Sequence, residues 1–421
     1  MIDLELLRSN TKVIEAELKK RHISDVDLKE IIKIDEQRRK AIVEVEAARA
    51  EQKKNSESFA KLSTTEKKKA VASAKKMAER VKALNPKREE LENKLKELTA
   101  RLPNLSHQSV PAGKTPADNK VVAMHGERPL FDFKVQPHWQ LMENKGWIDP
   151  KRSARVSGAR FQFMMGDLAL LEMALVRFIM DELTQKGFVP VLPPTLVNSE
   201  TMYGAGMFPV EEQEVYRLPK EDLNLAGTSE ISVLGMHMHE LLDLKVGPKK
   251  YVAFSTCYRR EAGTAGKDQH GIIRMHQFDK VEMFIFAAEE KSWEVLEHEL
   301  VPLAEGIVSK LGLHFRRVLL CAGDIARKNA LTYDLECWLP SEERFVETHS
   351  ISNVTSFQSR RLGIKYKAPD GSKRFVHTLN STAMAFSRLP ACLVEQFQTA
   401  EGRIRVPEVL QPYLSNRELL G

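Results

Sequence analysis

The stretch CYRREAGTAGKDQHGIIRMHQFDKVEMFIF, Cys257–Phe286, decides how the chain is read. It opens and closes with β-rich sequence and carries three glycines between Ala262 and Gly271. That composition reads as two strands joined by a mobile loop. Such a hairpin brings Arg259, Glu261, Phe278 and Glu282 near one surface. An arginine there can grip a phosphate bidentately, and a carboxylate can accept from an amine or a hydroxyl. An aromatic ring can stack on a purine. A salt-bridged hairpin would account for the charges, but less well for a glycine loop between two polar clusters.

Around this hairpin the pattern is mixed. The sequence predicts a helix over Gly166–Lys186, strands over Tyr251–Tyr258 and Val281–Ala287, and a helix over Lys291–Leu311. A strand follows at Phe315–Leu320, and a last helix runs around Ala383–Gln398. Helices interspersed with runs of neighbouring strands indicate an α+β domain with a mostly antiparallel sheet. No G-x-G-x-x-G follows a strand and no G-x-x-x-x-G-K-[ST] occurs, so neither a Rossmann nor a P-loop site is indicated.

The first hundred residues differ. From Leu28 to Leu102 there is one proline, no glycine and an abundance of strong helix formers. Leu91, Leu95, Leu98 and Leu102 fall on one helical face, Leu84, Leu91 and Leu98 keep a seven-residue spacing, and Leu28, Ile31, Ile42 and Val45 form a sparser stripe. Residues 28–102 therefore read as a long antiparallel helical hairpin, a coiled coil with its tip near Leu62–Glu66. Ser63, Thr64 and Thr65 are candidate N-caps for its second helix. Pro86 lies inside that helix and is expected to kink it. The domain boundaries expected are 1–102, a Pro/Ser/Gly-rich linker at 103–119, and 120–421.

Charge follows the same division. Residues 1–100 hold 25 Lys+Arg and 19 Asp+Glu, an excess of six that equals the net charge of the whole chain. Between Lys53 and Arg88, twelve basic residues face only Glu57, Glu66 and Glu79. That is the footprint of a polyanion partner or of a solvated, lysine-rich helical surface. No apolar run approaches the length needed to span a bilayer, and the N-terminus has no apolar core of a secretory signal. Cys257, Cys321, Cys337 and Cys392 are far apart, which offers no zinc site or disulfide framework and fits a reducing cytoplasm.

The central hairpin resembles motif 2 (about 251–286) of the class II aminoacyl-tRNA synthetases, and specifically of seryl-tRNA synthetases. The family's R-x-E falls on Arg259-Arg260-Glu261 and its R-x-H-Q-F on Arg274–Phe278. Other segments resemble the family in order. They are motif 1 at Gly187–Pro209 with Pro194, the serine-binding T-x-E at Thr228–Glu230, Thr332–Pro340 with Glu347–Arg361, motif 3 at His377–Gln398 with Arg388, and Gly402–Leu414. The resemblance covers essentially the whole chain, with the basic hairpin as the arm that grips tRNA.

The resemblance implies a cytoplasmic homodimer that activates serine with ATP and loads tRNA(Ser); the family also serylates the selenocysteine tRNA. Arg259 would hold the α-phosphate and the serine carboxylate, and Arg388 the γ-phosphate of a bent ATP. Glu261 would accept from the adenine amino group over a floor formed by Phe278, and Arg260 and Arg274 would add ATP contacts. Glu347 and Ser350 would offer oxygens to magnesium; no zinc is expected. Thr228 and Glu230 would receive the serine ammonium, with Ser229 also in the serine-binding element; Glu282 would take the hydroxyl, and Thr382 would help close the pocket.

Three departures from the family pattern stand out. The usual N-G-S-G reads Asn380-Ser381-Thr382-Ala383, G-R reads Ser387-Arg388, and E-[IV]-S-S reads Glu347-Thr348-His349-Ser350. None removes a required charge, and His349 reads as a hydrogen bonder rather than a base. Two other readings compete: an amino acid:carrier-protein ligase, which would lack the arm, and a tRNA-binding protein without catalysis, which would lose Arg259, Glu261 or Arg388.

Overall fold

The computed structural model describes residues 2–59, 64–262 and 270–421. The expected hairpin tip and the expected glycine loop lie partly outside these residues. Internal packing divides the chain into Ile2–Leu102 and Pro103–Gly421.

In the N-terminal unit, two short helices, Leu4–Ser9 and Thr11–Lys20, precede the long pair Leu28–Phe59 and Thr64–Ala100. Asp27 starts the first long helix by accepting from the backbone N–H of Lys29 and Glu30 at 2.9 and 3.1 Å. The two long helices pack on one another. Their buried seam includes Leu28, Ile31, Ile34, Ala41 and Val45 from one helix and Leu91 and Leu95 from the other. Leu98 and Ile42 are only partly covered. Helix continues through Pro86, even though the ring removes one backbone donor.

The larger unit is built on an eight-stranded sheet. Its order is Lys120–His125, Phe315–Leu319, Leu331–Leu339, Arg344–Thr355, His377–Ala385, Gln277–Ala287, Lys249–Tyr258 and Val189–Val191. Every neighbouring pair is antiparallel except the last, where Val189–Val191 runs parallel to Lys249–Tyr258. The helices Asp167–Gln185 and Val301–Lys310 bury Leu168, Leu171, Leu175, Ile179, Ala304 and Ile307 in the main core.

Two expectations change. The helix expected over Lys291–Leu311 contains a π-helical segment at Leu296–Leu300 between two α-helical pieces. Residues Ala383–Ala385, expected to open the last helix, belong instead to a strand, and that helix is Leu389–Gln396 with Pro390 in its first turn. Ala and Met favour helix, but here Met384 and Ala385 pair with Val281 and Lys280 in the middle of the sheet, and tertiary pairing prevails.

The segment after Leu102, expected as a linker, lies against the core. The Asn104 N–H donates to the Arg327 carbonyl at 2.6 Å, its side-chain amide donates to the Val354 carbonyl at 2.8 Å, and Val110 is buried. Its prolines prevent a regular ladder, so side chains and isolated backbone bonds hold it. Among the described residues no helix is long and apolar enough to cross a membrane.

Candidate active site

Strand periodicity builds the site. On Gln277–Ala287, Val281, Met283 and Ile285 enter the main core, whereas Phe284 and Phe286 pack with Ile231, Val233 and Leu234 in a second core cluster. Alternation puts Lys280 and Glu282 on that second face. There they help line an open cleft of about 1230 Å³.

A β-bulge completes the carboxylate side. Glu347 and Ser350 are three residues apart, a spacing that places them on opposite faces of a regular strand. Leu335 pairs with His349 and Glu336 with Glu347, which leaves Thr348 as an extra residue. The bulge reverses the alternation, and both Glu347 and Ser350 line the cleft. A second bulge leaves Ala383 extra between Thr382, opposite Glu282, and Met384, opposite Val281.

Most of the residues expected at the site converge there. Thr228, Glu230 and Glu282 line the cleft together with Thr382. Arg259, Glu261, Arg274 and Arg388 line it as well. Phe278 borders an adjoining recess with Arg259 and Arg388. Two expected residues do not line it. Ser229 is buried with its hydroxyl 3.5 Å from the Ala253 carbonyl. Arg260 is exposed, and its N–H donates to the Glu214 carbonyl at 2.9 Å.

Two basic–acidic groupings define the chemistry. At one end Arg388 lies 2.8 Å from Glu347 Oε2, and the Arg259 guanidinium sits 5.3 Å over the Phe278 ring while Nε donates to the Gly227 carbonyl at 3.1 Å. Arg274 pairs with Glu261 at 2.9 Å. Glu261 holds φ +49°, an uncommon conformation for a residue with a side chain. At the other end Lys280 ion-pairs with Glu282, and its ammonium also donates to Thr228 Oγ1 at 3.3 Å. Glu230 Oε1 receives Lys328 Nζ and Gln358 Nε2, each at 2.6 Å.

Burial raises the Glu282 carboxyl above its usual value, against the pull of Lys280. Burial also raises Glu347, but the Arg388 charge and hydrogen bond, with the charges of Arg259 and Lys280, together outweigh it and leave it lowered. Asp334, directly across the ladder from Ser350, is raised well above the usual range by burial and then by the Glu347 charge. His349 is fully buried and held neutral down to about 4, chiefly by burial.

Sequence reasoning missed Lys280, Lys328, Gln358 and Asp334. Lys280 was recoverable, since it stands two residues before Glu282 on the same strand face. Lys328 and Gln358 come from segments about a hundred residues from Glu230 or more, and no local pattern marks them. The departures in motif 3 prove undemanding: none of Ser381, Ala383 and Ser387 adopts positive φ, so none needs glycine's freedom.

This antiparallel sheet, with an arginine–carboxylate end and a small polar pocket, defines a class II aminoacyl-tRNA synthetase core. Residues 210–397 match the family described as tRNA synthetase class II core domain (G, H, P, S and T), and residues 1–106 match the seryl-tRNA synthetase N-terminal domain. The serine–tRNA ligase of Kosmotoga olearia is 41% identical with all of both chains covered, and that of Symbiobacterium thermophilum 40% identical with 98% of each covered. The crystal structure of seryl-tRNA synthetase from Pyrococcus horikoshii complexed with ATP is similar at a TM-score of 0.90 and 36% identity, over 100% of this chain and 99% of that one. The chain belongs to the seryl-tRNA synthetase family.

Proposed function

We propose that the chain joins serine to tRNA(Ser) in two steps. A serine carboxylate oxygen attacks the α-phosphorus of ATP and pyrophosphate leaves. A hydroxyl of the tRNA's terminal ribose then attacks the seryl carbonyl and AMP leaves. The observation that carries this reading is the cleft's two-ended chemistry: paired arginines at one end, and a buried Lys280–Glu282–Thr228 cluster at the other.

Arg259 grips the α-phosphate and the serine carboxylate, and Arg388 the γ-phosphate. Both stabilise charge that redistributes during transfer. Glu261 accepts from the adenine amino group and Phe278 supports the ring. Thr228 and Glu230 receive the serine ammonium. Glu282, kept in place by Lys280, accepts from the substrate hydroxyl, and the Thr382 methyl limits the space beside it. Ser229 and Arg260 support this site from outside the cleft.

Among the described residues no cluster of three or more His, Cys, Asp or Glu could hold a metal ion. A magnesium ion would be held between the chain and the nucleotide. Glu347 and Ser350 offer hard oxygens there, and the neighbouring Asp334 Oδ1 is buried without a hydrogen-bond partner, a donor set that fits. When bound, the ion neutralises phosphate charge during departure of pyrophosphate.

Exposed Leu170 and Met173 on Asp167–Gln185, with Val189 on the parallel edge strand and Leu192 just after it, support a homodimer through the motif 1 region. The test of the activation step is ATP–pyrophosphate exchange with single amino acids. Serine should drive exchange, with alanine and threonine far behind; exchange driven equally by several amino acids would contradict the reading.

A further inference from the structure

The hydrogen-bonded ladder between Arg344–Thr355 and His377–Ala385 stops at the pair Ile351–Ser381. Beyond that pair lie four groups that line the cleft: Glu347 and Ser350 from one strand, Thr382 and then Arg388 from the other. The two bulges, at Thr348 and at Ala383, fall just there.

One side chain bridges them. His349 Nε2 lies 3.0 Å from the Ala383 carbonyl oxygen, and Nδ1 lies 2.8 Å from Thr348 Oγ1. A carbonyl only accepts, so Nε2 carries the ring proton, and Nδ1 accepts from the Thr348 hydroxyl. The Ala383 carbonyl is thus satisfied by a side chain where the strand ladder has ended.

We propose that His349 is a positioning residue that ties the two bulged strands together and sets the spacing between Glu347/Ser350 and Thr382/Arg388. The proposal rests on the reading of the cleft as a serine and ATP site. It also makes two departures from the family pattern one feature. The ring presents a donor and an acceptor on opposite sides, and the donor meets the carbonyl of Ala383, the residue that replaces the motif's last glycine. His349 touches no substrate and acts through the strands it joins.

The test compares His349→Gln, His349→Asn and His349→Leu in the full chain. The readouts are kcat and KM for ATP and for the amino acid in pyrophosphate exchange, with thermal unfolding alongside. Glutamine can place an N–H near the Nε2 position; asparagine reaches only the Nδ1 position, and leucine fills volume without bonding. Asn and Leu should raise KM for ATP and lower kcat, together by on the order of tenfold to a hundredfold. KM for the amino acid should rise less than KM for ATP, since Thr382 is on the displaced strand whereas Glu282, Thr228 and Glu230 stand on other elements. Gln should regain most of the loss. If Leu does not fold, Gln against Asn decides. The wild type is assayed first; if an amino acid other than serine drives exchange, the serine reading fails, and the variants are compared with that amino acid instead. Folded Asn and Leu variants with wild-type KM for ATP and kcat would overturn the proposal, and so would a Gln variant no better than Asn.

Discussion

Arg388 Nη1 stands 2.8 Å from Glu347 Oε2 and donates to the Glu347 main-chain carbonyl at 3.1 Å. The guanidinium is therefore held by the residue beside which the triphosphate is proposed to lie, with its remaining N–H groups available to phosphate oxygens. Removing such a contact costs about 3 kcal/mol of transition-state stabilisation. Arg388→Ala should lower kcat/KM for pyrophosphate exchange by roughly a hundredfold or more, while circular dichroism matches wild type. Near wild-type exchange would take Arg388 out of the reaction.

Glu282 tests selectivity. A site built to hydrogen-bond a hydroxyl rejects an analogue lacking it far better than an apolar pocket can. Glu282→Gln also leaves the Lys280 ammonium without its counter-charge. Serine-dependent exchange should fall by about a hundredfold or more, whereas alanine-dependent exchange, poor already, changes little. Equal losses for the two would place selectivity elsewhere.

Behind Phe278 lies a separate cavity of about 740 Å³, bordered by Glu172 and Asp279. Burial, then the Asp279 charge and its hydrogen bond, push the Glu172 carboxyl from its ordinary 4.5 up to about 8. A folded-state value above the unfolded one means that this contribution to stability is complete below about pH 4.5 and is lost as pH rises through about 8. Glu172→Gln removes that dependence. Melting curves of the two proteins from pH 5 to 8.5 should show the variant gaining relative to wild type as pH rises; a constant gap would exclude a raised Glu172.

The arm separates the two steps. Lys75, Lys76, Arg80, Lys82 and Lys87 are exposed along the second long helix. Deleting residues 36–94 and closing the gap with a short turn should preserve serine-dependent exchange and collapse tRNA charging. In the intact chain, charging at sub-saturating tRNA should weaken as salt rises, because phosphate contacts release counterions. Full charging by the truncated protein would show that the hairpin is not the arm that grips tRNA.

Much of the fold was legible because its signals are local. The leucine stripe of Leu91, Leu95 and Leu102 and the β-rich flanks of the glycine loop are set by periodicity alone. Motif order then located ten residues that line the cleft and Phe278 beside it. What stayed hidden depends on register. The bulge at Thr348, which turns Glu347 toward Ser350, arises from pairing with Leu331–Leu339 and leaves no mark in the sequence. The strand at Ala383–Ala385 was masked by helix-favouring residues in a slot only the sheet defines. Lys328 and Gln358 reach Glu230 across long chain separations, so their ion pair and hydrogen bond appear only in three dimensions.

Joining of serine to tRNA is measured most directly by aminoacylation of a tRNA(Ser) transcript by the intact chain with labelled serine and ATP, read as acid-precipitable counts sensitive to mild base. The expected product is serine ester on tRNA(Ser), with one AMP released per ester formed and no ester on a tRNA for another amino acid. Serine-dependent pyrophosphate exchange without any labelled tRNA would contradict it.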